Sequence, residues 1–113
     1  MTPPLQQPSK EVDVGFLVFV ERYATDLLKL DILTFFGRNP DFSGTTSQIA
    51  KHVGRSNPTI RPELGNLALL GILKQKQVED KMVYQLTEET HLREMTLKLA
   101  DSQLLAGSSH QRT

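Results

Sequence analysis

The chain has 113 residues, of which 38% are hydrophobic and 23% charged, with no cysteine and a formal net charge of zero. That length supports one hydrophobic core and one domain; the lack of cysteine excludes disulfides, thiolate metal sites and cysteine nucleophiles, and fits a cytoplasmic setting. The longest apolar run, Val14 to Val20, is far below the ~20 residues that cross a bilayer, and the N-terminus lacks a secretory pattern, so neither a membrane partner nor secretion is expected.

Residues 1–9 hold three prolines and two glutamines and are expected to form a disordered arm. From Lys10 onward, Val12, Phe16, Phe19, Val20 and Tyr23 recur at three- and four-residue steps, which predicts a helix with one apolar face. The β-branched valines leave a strand as the alternative. Thr25 or Asp26 can cap a second helix. Its apolar residues, from Leu27 to Phe36, are too many for a single stripe, so it is expected at the centre of the core. Gly37 and the Asn39-Pro40 pair are expected to stop it.

Phe42-Ser43-Gly44 reads as a short loop. Thr45 and Gln48 stand at capping-box spacing, opening a short helix that buries Ile49, Ala50 and Val53 and ends at Gly54. Ser56 can cap a following helix with Ile60, Leu64, Leu67 and Leu70 at helical spacing, closed by Gly71. The period then drops to two, predicting strands from Ile72 to Val78 and from Met82 to Leu86 around the turn Glu79-Asp80-Lys81. Thr87 is expected to cap a last helix, with Glu88 and Glu89 near its positive end and Leu92, Met95 and Leu99 on one face. The fold class is thus mostly α with a small β-hairpin (α+β), in one domain over residues 10–106, followed by a disordered tail over 107–113.

Charge is spread unevenly. Between Lys51 and Val78 lie Lys51, Arg55, Arg61, Lys74 and Lys76, opposed only by Glu63. The three histidines, His52, His91 and His110, have no ligand-spaced partners, so no metal site is expected. No phosphate loop, nucleophile motif or acid–base constellation is present. Neither an enzyme nor a cofactor is expected.

The spacing of Gly54, Ser56, Thr59-Ile60, Leu64, Leu67 and Gly71-Ile72-Leu73 resembles the helix-turn-helix of winged-helix regulators of the MarR and ArsR type. These often carry Gly, Ser, Thr-Val, two leucines and Gly-Leu-Ile at matching intervals, and the resemblance extends over Leu27 to Thr87. It implies a winged helix-turn-helix with extra N-terminal and C-terminal helices, and double-stranded DNA as partner. Base-reading positions would be Asn57, Thr59, Arg61 and Pro62, with Arg61 suited to bidentate contact with guanine. Phosphate contacts would come from Lys51, Arg55, Ser56, Lys74, Lys76 and Lys81. Pro62 conflicts with a regular helix begun at Ser56, by about 3 kcal/mol, so either a kink or a shorter helix opening at Pro62 is expected. The terminal helices either pack on their own domain or build a homodimer through Val12, Phe16, Phe19, Leu92, Met95 and Leu99. No small-molecule effector can be specified. The competing role is a protein-interaction or scaffold module without DNA binding.

Overall fold

The computed structural model describes the backbone of residues 13–111 and the side chains of residues 13–102. Val12 and the expected N-terminal arm lie outside that range. The first two helices each open on an aspartate. Asp13 accepts from the amide of Phe16 at 3.1 Å and starts α1, Val14–Tyr23. Asp26, not Thr25, accepts from the amide of Lys29 at 2.8 Å and starts α2, Leu27–Arg38. This backbone hydrogen bond, followed by the bond to the Lys29 ammonium, holds the Asp26 carboxyl below the usual range.

Gly37 does not stop α2. It lies buried inside the helix, which ends at Arg38 with Asn39 as its cap. Its role is close approach: a Cβ there would stand 2.5 Å from the backbone oxygen of Thr96 and 2.6 Å from Ala100 Cβ. Both belong to α5, Thr90–Gln111, so α2 and α5 touch backbone to backbone. Thr96 is fully buried at this crossing, and its hydroxyl is satisfied by donating to the Leu92 carbonyl at 2.7 Å.

The loop expected at Phe42-Ser43-Gly44 contains a strand instead. β1, Ser43–Thr45, pairs antiparallel with β3, Lys81–Leu86, which pairs in turn with β2, Leu73–Val78. Three residues are too few for an alternating pattern, and the partner that makes them a strand is about forty residues away. The hairpin turn is tighter than expected: Lys81 is in β3 opposite Val78, leaving Glu79 and Asp80 as the turn, with Glu79 at φ 57°.

The capping box forms as the sequence predicts, opening α3, Thr46–Val53. The Gln48 amide donates to Thr45 Oγ1 at 3.3 Å, and the Thr45 amide donates to Gln48 Oε1 at 2.9 Å. At α5 the expected cap is corrected. Glu89 accepts from the amides of His91 and Leu92, while Thr87 Oγ1 accepts from the Glu89 amide and so sets the preceding turn. The longer glutamate reaches the helix amides from a position where Thr87 is already spent. The α5 backbone continues to Gln111, past the boundary expected at Ala106.

The core joins both ends of the chain. Ile32, Leu33 and Phe36 of α2 meet Ile49, Ile60 and Leu86 at full burial. α1 packs on α5 within the same chain: Phe19 is 2% and Leu99 3% exposed. Of the two arrangements expected for these residues, Phe19 and Leu99 take the one in which the terminal helices pack on their own domain, because the core occupies their faces. Phe16, Leu92 and Met95 are partly buried against the same core. Lys98 ties the two helices from outside, pairing with Asp13 and lying 5.4 Å over the Phe16 ring. Among the described residues no helix is long and apolar enough to cross a membrane.

Candidate nucleic-acid interface

The left-handed backbone at Gly54, φ 72°, lets α3 end and the chain turn within two residues into α4, Asn57–Leu69. The amide of Arg55 still reaches back to the Ala50 carbonyl at 3.0 Å, which sets the angle between the two helices. Ile60, Leu64 and Leu67 hold the inner face of α4 in the core, leaving Thr59, Arg61 and Pro62 exposed on its outer side.

Pro62 does not open a shortened helix. α4 runs through it, with Pro58 in the first turn and Pro62 in the interior. Both prolines are exposed, so the point where residue 62 offers no amide to the Pro58 carbonyl lies on the outer side of the helix. Ser56 stands at the N-cap but makes no capping bond; its hydroxyl shares a 2.7 Å contact with Thr59 Oγ1. Asn57 is half-buried and donates from Nδ2 to Ser47 Oγ at 2.8 Å, which ties it to α3 and away from the exposed face.

Two shallow depressions, each about 390 Å³, lie side by side along this surface. One is lined by Lys51, Arg55, Ser56 and Asn57 with Ser47, Gln48 and Ala50. The other is lined by Arg61, Lys81 and Met82 with Thr45, Thr46 and Ser47. Ser47 belongs to both, so Lys51, Arg55, Arg61 and Lys81 fall on one continuous strip across the helix-turn-helix and the turn end of the hairpin. Thr46 and Ser47 were not expected there. Their signal was the capping box itself, which puts them in the first turn of α3, where backbone amides face outward.

The strand register places Lys74 opposite Gln85, Lys76 opposite Val83 and Lys81 opposite Val78. These lysines therefore share one face of the hairpin, opposite the face on which Leu73, Tyr84 and Leu86 are buried. Lys74 and Lys76 line neither depression and extend the positive charge along the hairpin.

The acidic residue within the basic stretch is neutralised. Glu63 accepts from Lys29 Nζ at 2.5 Å, joining α4 to α2, and this hydrogen bond is the main cause that holds the Lys29 ammonium above its ordinary range. Arg55 pairs with Asp31 of α2 at 2.5 Å. Among the described residues, Lys51, Arg61 and Lys81 make no ion pair. His52 stacks on Phe35 at 4.9 Å, and no group of three or more described His, Cys, Asp or Glu residues is placed to hold a metal.

The chain matches no protein-family model and no curated protein. Solved structures do share its architecture. The AntR antimony-specific transcriptional repressor aligns with a TM-score of 0.61 at 20% identity, covering 93% of this chain and 96% of that one. NadR in complex with 4-hydroxyphenylacetate aligns at 0.58 and 14% identity, over 96% of this chain and 86% of that one. Sso10a-2, a DNA-binding protein from Sulfolobus solfataricus, aligns at 0.52 and 19% identity, over 74% and 88%. The fold is a winged helix. Its helix-turn-helix is α3–α4, its wing is β2–β3, and α1 and α5 are the additional terminal helices. At these identities the likeness is one of fold, and the charge and exposure of the strip on α3, α4 and the wing are this chain's own.

Proposed function

We propose that this winged helix is a transcription regulator that binds duplex DNA, laying α4 in the major groove and the wing along the backbone. The observation that carries this reading is the continuous strip holding Lys51, Arg55, Arg61 and Lys81, built on a helix face exposed among the described residues. The major groove admits a helix and presents a distinct pattern for each base pair. Arg61 and Thr59 are the base-reading residues; Pro62 contacts the groove by shape. Asn57, already bonded to Ser47, works instead as a brace between the two helices. Lys51, Arg55, Ser56 and Lys81 engage phosphates, as do Lys74 and Lys76 along the wing. Fold neighbours described as transcription regulators and a DNA-binding protein support the reading. The antimony specificity of AntR and the 4-hydroxyphenylacetate bound to NadR belong to those proteins.

The regulator acts as a homodimer. With Phe19 and Leu99 inside the core, the surface for a second copy is the outward stripe of α1: Val14, Leu17 and Val18 are 68%, 46% and 51% exposed. These residues repeat at helical spacing along one side of α1.

Fluorescence anisotropy on a random duplex and on DNA upstream of the chain's own gene, across several salt concentrations, tests the assignment. Upstream DNA is expected to bind more tightly, with affinity falling steeply as salt rises. Arg61→Ala should cost about 1–3 kcal/mol of preference for the cognate sequence, while Lys81→Ala weakens both duplexes equally and reduces the salt slope by about one. Equal losses on both duplexes for both variants would contradict the division of roles. A protein-interaction role has one observation in its favour, the exposure of Leu27 and Leu69. Failure to bind either duplex or heparin at low salt, with the protein folded, would decide for it.

A further inference from the structure

We propose that Asp31 is an internal stand-in for a DNA phosphate, which occupies Arg55 in the free protein and must be exchanged for a phosphodiester when duplex binds. The proposal rests on the DNA-binding reading above and adds to it a residue, outside the strip, that sets its affinity.

Two ion pairs run from α2 to the helix-turn-helix, and they differ in kind. Lys29 is nearly buried and is held by both Glu63 and Asp26, so it is a closed tie between α2 and α4. The Arg55–Asp31 pair is open. Both side chains are more than a third exposed, and the pairing is a single contact, from one terminal guanidinium nitrogen to Asp31 Oδ2 at 2.5 Å. A guanidinium carries five N–H donors in a fixed fork. Single use leaves most of them for another acceptor, and an exposed pair of this kind is weakly held.

The position of each partner gives the exchange its direction. Arg55 lines the depression on the strip with Lys51, Ser56 and Asn57. Asp31 lines a different groove, of about 410 Å³, between α2 and α3, together with Arg38 and His52. The carboxylate therefore reaches Arg55 from behind, and a phosphate would meet it from the front. Phosphate accepts the guanidinium fork through two oxygens, where Asp31 offers one contact. After the exchange Asp31 remains beside Arg38 in its own groove. In the free protein its negative charge cancels Arg55, so fewer cations are available to displace counterions from DNA.

The test is a salt titration of duplex binding by the full chain. It compares the wild type with Asp31→Asn, Asp31→Glu, Arg55→Ala and the Asp31→Asn/Arg55→Ala double variant, using a labelled random duplex. Asp101→Asn, at an exposed position of α5, controls for a plain change of net charge, and thermal melts confirm folding. At ~50 mM salt Asp31→Asn should bind about three- to fivefold more tightly, and its log–log salt slope should steepen by about 0.9, one more phosphate neutralised. Arg55→Ala should erase both gains, Asp31→Glu should keep the wild-type slope, and Asp101→Asn should leave the slope unchanged. Weaker binding by Asp31→Asn would overturn the proposal and make Asp31 a support that aims Arg55. A gain that survives Arg55→Ala would also overturn it, leaving only bulk charge. Absence of duplex binding by the wild type would remove the DNA-binding reading itself, an outcome distinct from wild-type binding with an unaltered variant.

Discussion

At Gly37 and Gly65 the same substitution should have opposite effects, because the two glycines sit in helices for different reasons. A methyl group at Gly37 would press on the Thr96 carbonyl and on Ala100 across the α2–α5 crossing, and backbone atoms cannot rotate away. Gly37→Ala should therefore destabilise the chain by about 1–3 kcal/mol. At Gly65, inside α4, nothing stands within 4 Å of the added carbon. Gly65→Ala should stabilise by about 0.5–1 kcal/mol through helix propensity alone. Urea denaturation reads both as shifts of midpoint at constant slope; a common sign would contradict the close approach of α2 and α5. Sequence reading placed Gly37 at a helix end because glycine so often stops a helix. Its real reason, a neighbour some sixty residues away, has no local trace.

Helix ends test how far local chemistry decides. Thr45 and Gln48 satisfy each other's backbone amides, so Thr45→Ala should cost about 1 kcal/mol. Ser56 occupies the same kind of position on α4 yet its hydroxyl pairs with that of Thr59, so Ser56→Ala should cost less than ~0.5 kcal/mol. Thermal or urea melts of the two variants check the contrast, and equal losses would show that Ser56 caps α4 after all. The sequence marks both residues as N-caps, and both stand where expected. Which hydroxyl bonds to which donor depends on the exit geometry at Gly54, and that is set by how α3 and α4 pack. β1 makes the same point more strongly: Ser43 and Thr45 become strand only because Gln85 and Val83 are brought alongside.

For the whole molecule, the decisive question is which apolar faces remain after one copy has folded. α1 turns Phe19 inward and Val14, Leu17 and Val18 outward. Leu17→Glu should leave stability within about 0.5 kcal/mol of wild type, since it fills no core position. It should convert the proposed homodimer, expected in light scattering at twice the 12.7 kDa chain mass, into a monomer, and weaken binding to a palindromic site in proportion. A wild-type chain that is monomeric at tens of micromolar would sink the dimer. Phe19→Glu should instead unfold the chain, because an unpaired carboxylate would enter the core. Sequence periodicity marked α1 as apolar but not which side of it the core takes: Phe19 is buried, while Val14, Leu17 and Val18 stay exposed. α1 is apolar nearly all round, and only its contact with α5 says which side is spent.

Residue spacing by itself was enough for the order of helices and hairpin, the capping box, the glycine turn and the basic stretch. Each depends on bonds between residues a few positions apart or on a repeat that a helix or strand imposes. The tertiary structure alone decided that Asn57 is held by Ser47, that Thr46 and Ser47 join the strip, that Glu63 is silenced by Lys29, and that Asp31 reaches Arg55. Three of these are encounters between residues 10, 34 and 24 positions apart, and no local rule relates such partners. Only the packing of α2, α3 and α4 around a shared core brings them within hydrogen-bond reach.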